Sequence, residues 1–173
     1  MELWDIYDEN RILKSGTMIR GHRIKDGDYH LTVHVCIFNS NGEMLIQKRQ
    51  PFKQGFSGLW DVTVGGSAVH GDTSKQAARR ELFEEVGIDH DFSGTQPHLT
   101  INTPHGFNDI YIIQKDVDIT TLSLQYEEVE KVMWATEGQI LSMIEDGSFI
   151  PYIPEFIMLI FRMRGGYGSH KRR

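Results

Sequence analysis

Residues 74–86 predict one amphipathic helix in a chain whose other apolar runs resemble strands. Within this segment the apolar residues recur every three or four positions: Ala77, Ala78, Leu82 and Val86. Asp72 and Thr73 precede the segment, and Gln76 follows them at the spacing of a capping box. Gly87 follows its last helical position and is a typical helix terminator. The segment therefore has both a start and a stop signal.

Short strand-like segments surround this helix on both sides. They are residues 30–38, 44–49, 60–64, 99–102, 109–114 and 131–135. Asn39 to Gly42 forms a hairpin turn between the first two, and residues 137–145 and 154–163 are predicted helices. We expect an α+β fold, an α/β/α sandwich with a mixed central sheet, as a single domain over residues 1–173. Residues 1–29 are expected to form an N-terminal hairpin extension, and residues 165–173 a flexible tail.

Charge and cysteine content narrow the possible functions. The net charge of −6 over 173 residues gives no support for binding a nucleic acid polymer or an anionic membrane. The single cysteine, Cys36, excludes an internal disulfide, fits a cytoplasmic location, and lies in an apolar run typical of the core. The N-terminus lacks the layout of a signal peptide, and no apolar run is long enough to span a bilayer.

Three glutamates share one face of the predicted helix. Glu81, Glu84 and Glu85 are spaced i, i+3 and i+4. Two like charges 5 Å apart repel by about 3 kcal/mol at an effective dielectric constant of 20. Such a face is stable if water solvates it or if a hard cation binds it, and Mg²⁺ is the natural candidate because it prefers carboxylate and phosphate oxygens.

The residues around the glutamates favour the cation. Gly65 and Gly66 end the preceding strand and open a loop, where glycine lets the backbone approach a metal or an anion closely. Arg80 precedes Glu81, and its rigid guanidinium can hold a neighbouring carboxylate in one orientation.

The complete pattern resembles the Nudix box. It runs Gly66, five residues, Asp72, seven residues, Arg80-Glu81-Leu82, one residue, Glu84-Glu85, one residue, Gly87-Ile88. The resemblance implies a Nudix hydrolase, a pyrophosphohydrolase that cuts a phosphoanhydride bond in a small nucleoside or other organic diphosphate, often as a homodimer. It implies Mg²⁺, or Mn²⁺ in its place, held by Glu84, Glu85 and the Gly66 carbonyl. Glu81 would then be a third ligand or a base, oriented by Arg80.

One position departs from this pattern. The family usually has glutamate where this chain has Asp72, so a contact between Asp72 and Arg80 is expected to be longer or water-bridged. The alternative is that Asp72 acts mainly as the helix N-cap. Family members also often use one carboxylate outside the box, for which Asp109, Glu127 and Glu128 are candidates.

Substrate-binding residues are predicted before the box. Gln47 and Arg49 end a strand that borders the cleft in this fold. Trp60 or Phe52 could stack on a base or cover a prenyl chain; simple core packing is the alternative for either ring.

Several further stretches resemble the isopentenyl-diphosphate isomerase branch of the family: Ser15-Gly16-Thr17, Asp28 to Leu31 and Gly58 to Asp61. That enzyme needs a cysteine and a metal-binding histidine, but this chain has Gly65 and Ser67 there, and Asp109 and Tyr111 where the isomerase has two glutamates. His22 and His30 match its N-terminal histidines and are expected to be structural or near the substrate. We therefore predict hydrolase chemistry, with the isomerase reaction and a non-catalytic diphosphate-binding module as alternatives.

Overall fold

A computed structural model describes residues 2–170 of the chain. It begins with an antiparallel hairpin formed by β1 (Leu3–Tyr7) and β2 (Leu13–Ile19). This hairpin is a separate two-stranded sheet, joined to the rest by a bridge between Tyr7 and Tyr29. The predicted N-terminal hairpin is therefore present.

The main sheet has seven strands. They are β3 (His30–Phe38), β4 (Met44–Arg49), β5 (Trp60–Asp61), β6 (Val64–Ser67), β7 (Leu99–Thr103), β8 (Gly106–Gln114) and β9 (Val129–Ala135). Strand β3 lies at the centre, parallel to β8 along its whole length and antiparallel to β6. Strand β4 continues the sheet on the other side, where it pairs with β5 and β9. The sheet is thus mixed, as the sequence predicted.

Three helices cover the two faces of this sheet. Helix α1 (Ser74–Val86) packs its apolar stripe on one face, in a core cluster with β3 and β6. Helices α2 (Glu137–Glu145) and α3 (Pro154–Met163) close the opposite face, over a second cluster that contains Cys36. The predicted α/β/α layering is confirmed. No helix in the described part of the chain is long and apolar enough to cross a membrane.

The structure differs from the sequence expectation in the segment before α1. The predicted strand 60–64 is two short strands, which pair with different neighbours. Gly65 and Gly66 lie inside β6 rather than in a loop, paired with His34 and Val33. Side chains pack so closely against both glycines that a Cβ atom at either position would clash. Glycine is therefore the residue that fits in this part of the strand.

The C-terminal segment contains defined contacts. The Tyr167 ring stacks on His98 at 4.2 Å, and its hydroxyl donates to the Gln96 carbonyl at 3.0 Å. This packing lies within the stretch predicted to be a flexible tail. Residues 171–173 lie outside the described part of the chain.

Candidate active site

Helix α1, which carries the three glutamates, is capped at both ends. Thr73 is the N-cap, and its side chain and that of Gln76 form a reciprocal capping box. Gly87 ends the helix in the left-handed region at φ 74°. Asp72 is therefore not the N-cap, and its carboxylate is available for another contact.

Asp72 binds Arg80 directly. Its Oδ2 atom accepts hydrogen bonds from Arg80 Nη2 at 2.9 Å and from Nε at 3.1 Å. The expected longer or water-bridged contact is therefore wrong: the shorter side chain reaches because Asp72 sits just before the helix. Arg80 also donates to the Ser67 carbonyl at 3.0 Å, which ties α1 to β6.

Glu81 lies against the backbone of Gly66. A Cβ atom added to Gly66 would stand 2.1 Å from the Glu81 carboxyl carbon, so only glycine fits there. Arg80 Nη1 donates to Glu81 Oε1 at 2.9 Å. Burial raises the pKa of Glu81, although Arg80 opposes this effect. The predicted orienting contact between Arg80 and Glu81 is present.

Glu85 is the most deeply buried of the three glutamates, at 4% exposure. Its Oε2 atom accepts a hydrogen bond from Gln47 Nε2 at 2.8 Å. Burial raises the pKa of Glu85 well above its ordinary value, and the charge of Glu81 raises it further. This carboxylate accepts one hydrogen bond from a neutral side chain and forms no salt bridge with any described residue.

Glu84 points elsewhere. Its side chain is 47% exposed and lies 3.2 Å from Arg80 Nη1. Within residues 2–170, no three His, Cys, Asp or Glu side chains converge into a ready-made metal-binding group. Glu81, Glu85 and the Gly66 backbone do border one small cavity, to which Glu84 contributes from the rim.

This acidic cavity has a volume of 190 Å³. Besides the glutamates, its walls include Arg20 from the end of the hairpin, Arg49 from β4, and Lys53 and Glu128 from loops. Lys53 and Glu128 form a salt bridge, and Arg20 Nη1 lies 2.9 Å from Glu2 Oε2. Anionic and cationic groups thus meet at one opening.

A second, larger cavity adjoins the acidic one. Its volume is 660 Å³, and both cavities are lined by Arg20, Arg49, Gly65 and Gly66. The remaining walls come from distant segments: Thr32, His34, Gln54, Gly55, Phe56, Asp61, Ser67, Ile150, Pro151 and Tyr152. A cavity of this size accommodates the organic part of a small ligand.

The other predicted site residues are distributed unevenly around these cavities. Arg49 lines both, and its buried Nε atom has no hydrogen-bond partner among the described residues. Gln47 is buried behind Glu85 and lines neither cavity. Trp60 packs on the second core cluster with Lys131 above its ring, and Phe52 lies on the surface beside Tyr126. A direct contact of Gln47 or Trp60 with substrate stays a prediction that neither cavity supports.

The three candidate carboxylates outside the box differ in their position relative to the acidic cavity. Glu128 lines the acidic cavity, whereas Glu127 is an exposed residue that does not. Asp109 is fully buried and holds the hairpin, because Arg11, Ser74 and Thr100 all bind its carboxylate. His30 stacks on Trp4 at 4.6 Å, which fits the structural role predicted for it.

Sequence reasoning missed many of the residues that line the cavities, among them Arg20, Lys53, His34, Asp61 and Tyr152. Lys53 carries a signal in its charge and its position in the loop after β4. The placement of Arg20 depends on the docking of the hairpin. His34 and Tyr152 are 118 residues apart, and no local pattern joins them.

Comparisons with known proteins agree with the family resemblance that the Nudix-box pattern indicates. The NUDIX domain family model matches residues 28–153. An uncharacterised Nudix hydrolase of Listeria monocytogenes is 43% identical over 170 residues, which cover 98% of this chain and 99% of that protein. An isopentenyl-diphosphate Delta-isomerase of Halorhodospira halophila is 44% identical over 70 residues, covering 40% of this chain and 39% of the isomerase. In three dimensions, the chain is similar to a crystal structure from Deinococcus radiodurans with a TM-score of 0.74 and 24% identity, covering 93% of this chain and 98% of that one.

Proposed function

Because the chain belongs to the Nudix hydrolase family, we propose that it is a divalent-metal-dependent enzyme that cleaves a phosphoanhydride bond in a small organic diphosphate. One observation carries the proposal: the buried carboxylate of Glu85 forms no salt bridge with any described residue and borders the same cavity as Glu81 and the Gly66 backbone. A buried carboxylate without a counter-charge is costly, and a bound cation removes that cost.

The donor set fits Mg²⁺, with Mn²⁺ as an alternative. All the available groups are oxygens: the carboxylates of Glu81 and Glu85 and the backbone carbonyl of Gly66. Mg²⁺ often uses one or two carboxylates together with waters and substrate phosphates, so a preformed three-residue cluster is not required. Glu84 would join as a ligand by a side-chain rotation away from Arg80. When bound, the ion would neutralise phosphate charge and lower the pKa of a coordinated water.

The cationic residues bind the diphosphate in this proposal. Arg20 and Arg49 lie where the two cavities meet, and Lys53 borders the acidic cavity. A diphosphate at this junction would face the glutamates on one side and extend its organic group into the larger cavity on the other. Arginine suits this position because its planar guanidinium binds phosphate through two hydrogen bonds.

The remaining residues of the site position these groups. Gln47 holds the carboxylate of Glu85, and Arg80 holds that of Glu81. Glu81 is either a metal ligand or the base that accepts a proton from the attacking water, as the sequence left open. Glu128 is our choice for the carboxylate outside the box, because it reaches the cavity while Asp109 does not.

The test is release of phosphate from a panel of nucleotide and prenyl diphosphates, with Mg²⁺ and with excess chelator. We expect turnover that depends on the metal and that falls by orders of magnitude in Glu84→Gln and Glu85→Gln. Asp89→Asn is the control, because Asp89 pairs with Arg79 on the exposed surface. Unchanged turnover in both glutamate variants would contradict the proposal.

The isomerase alternative is disfavoured by Gly65. A Cβ atom there would stand 2.7 Å from the His34 ring, so a cysteine side chain does not fit beside this histidine. The chain's one cysteine, Cys36, is buried in the core, and burial raises the pKa of its thiol. We expect no dimethylallyl diphosphate to form from isopentenyl diphosphate.

The departure from the family pattern at Asp72 does not favour the binding-module alternative, because Asp72 binds Arg80 directly. A cytoplasmic location and a homodimer stay predictions.

A further inference from the structure

Three polar side chains meet on the wall of the larger cavity, which none of the box glutamates lines. Asp61 comes from β5, His34 from β3, and Tyr152 from the segment between α2 and α3. The Tyr152 hydroxyl lies 2.9 Å from Asp61 Oδ1 and 3.4 Å from His34 Nε2. None of the three residues lines the acidic cavity, so the proposed metal and phosphate sites do not explain the cluster.

The hydrogen bonds of Asp61 are incomplete. Both of its contacts with described residues end on Oδ1, which accepts from the Tyr152 hydroxyl and from the Val62 backbone at 2.8 Å. The residue is only 4% exposed, yet it lines the cavity. Burial raises the pKa of Asp61, and the nearby charged groups and hydrogen bonds only partly oppose this. Its second oxygen, Oδ2, therefore has capacity for a donor from a ligand.

His34 contacts the Tyr152 hydroxyl from the other side. Its Nε2 atom lies 3.4 Å from the hydroxyl oxygen, and its Nδ1 atom lies 2.8 Å from the Asn108 side-chain oxygen. The hydroxyl donates its one proton to Asp61, so Nε2 contacts the hydroxyl oxygen as a donor and has no lone pair for a ligand. The acceptor that this cluster presents to the cavity is therefore Asp61 Oδ2.

We propose that Asp61, His34 and Tyr152 form a recognition site for an O–H or N–H donor on the organic group of the substrate. The inference rests on the proposed function and adds a substrate preference. The enzyme should prefer diphosphates whose organic group carries hydroxyl or amino groups. A prenyl group in the same place would cover Asp61 Oδ2 with hydrocarbon and leave this oxygen without a donor, which is unfavourable. Asp61 is thus a specificity residue, and Tyr152 positions it.

The substrates that test this site share the phosphoanhydride bond and differ in the organic group. ADP offers sugar hydroxyls and a base amine, 2′,3′-dideoxy-ADP keeps only the amine, and geranyl diphosphate has neither. We expect the wild-type protein with Mg²⁺ to hydrolyse ADP with a kcat/KM about 10²-fold or more above that for geranyl diphosphate. The dideoxy compound tells whether the recognised donor belongs to the sugar or to the base.

The decisive variant is Asp61→Asn, which keeps the shape but replaces one acceptor oxygen with a donor. We expect its kcat/KM for ADP to fall about 10²-fold, mainly through a higher KM, with little change for geranyl diphosphate. Tyr152→Phe removes only the hydroxyl and should lower kcat/KM for ADP by about tenfold. Asp89→Asn, which removes an exposed carboxylate that lines neither cavity, should leave kcat/KM unchanged for both substrates.

The outcomes separate this inference from the proposed function. An equal fall for both substrates in Asp61→Asn, or a wild-type preference for geranyl diphosphate, overturns the recognition site and leaves the hydrolase intact. If the wild-type protein hydrolyses none of the substrates, the proposed function fails. The same series measured by calorimetry with Mg²⁺ then decides the inference: Asp61→Asn must weaken ADP binding and not geranyl diphosphate binding. Absence of ADP binding to the wild-type protein also overturns it.

Discussion

Two buried carboxylates, those of Asp109 and Glu85, have opposite surroundings. Arg11 binds both oxygens of Asp109, and Ser74 and Thr100 donate to it at 2.5 and 2.6 Å. Burial alone would raise the pKa of Asp109, but these donors outweigh burial and lower it. Glu85 has one neutral side-chain donor, and its pKa is raised.

These surroundings match a different role for each carboxylate. The satisfied one, Asp109, joins the hairpin, α1 and β7 through its three partners, so it supports the fold. The unsatisfied one lies where a cation and a phosphate fit, so its cost is a feature of the free enzyme that binding removes. We therefore expect changes at the two positions to separate activity from stability.

The largest effect is expected from Glu85→Gln. The amide keeps the shape and can still contact Gln47, but it removes the charge that holds the metal. Hydrolysis should fall by about 10³-fold, while the metal-free variant should unfold at a temperature equal to or above that of the wild type. Phosphate release measures the loss of hydrolysis, and thermal unfolding measures the unfolding temperature. Glu127→Gln, which changes an exposed glutamate outside the cavity, should alter neither.

The next largest effect is expected from Gly66→Ala. The new methyl group would stand 2.1 Å from the Glu81 carboxyl carbon and would displace that carboxylate. A displacement of this kind lowers activity by about 10²-fold. Gly138→Ala is the matched control, since a Cβ there meets nothing within 4 Å. Steady-state kinetics measures the activity of both variants. Equal losses of kcat/KM would show that the close contact of Gly66 with Glu81 does not matter for activity.

A smaller effect, on stability rather than activity, is expected from Asp109→Asn. It leaves Arg11 without its counter-charge and should lower the free energy of unfolding by about 2–3 kcal/mol. Urea denaturation measures this value. Asp89→Asn breaks an exposed ion pair and should cost less than about 0.5 kcal/mol. A loss of activity without a loss of stability in Asp109→Asn would reverse the assignment.

The smallest effect is expected on the pH dependence of stability. Because the folded pKa of Glu85 lies above the ordinary 4.5, its penalty is absent below that pH and grows as pH rises through the folded pKa. Asp109 acts oppositely, because its folded pKa lies below the ordinary 3.8 and its contribution is lost as pH falls through the folded pKa. Metal-free unfolding curves for Glu85→Gln should therefore lose less stability than wild type as pH rises above 4.5. Parallel curves would show that Glu85 carries no penalty.

The sequence predicted those parts of the fold that depend on local signals. Helix α1 begins and ends where the capping box and Gly87 indicate, because caps act within a few residues. Residues 44–49 are predicted as a strand, and β4 has these bounds. The strand pattern did not reveal that α1 covers Gln47, since that depends on how the helix packs on the sheet.

The parts that could not be predicted depend on distant segments. Asp61 and its partner Tyr152 are 91 residues apart in the chain. Arg20 reaches the cavity through the docking of the hairpin, to which the ion pair of Arg11 with Asp109 contributes. Such contacts are set by tertiary packing, for which a single sequence carries no periodic signal.

A titration with Mn²⁺, followed by electron paramagnetic resonance of the free ion, tests most directly whether the cavity beside Gly66 binds a divalent cation. The wild-type protein and Glu127→Gln should bind the ion with equal affinity, and Glu81→Gln and Glu85→Gln should each weaken binding by about tenfold or more. Equal affinity in all four proteins would place the ion elsewhere and contradict the account.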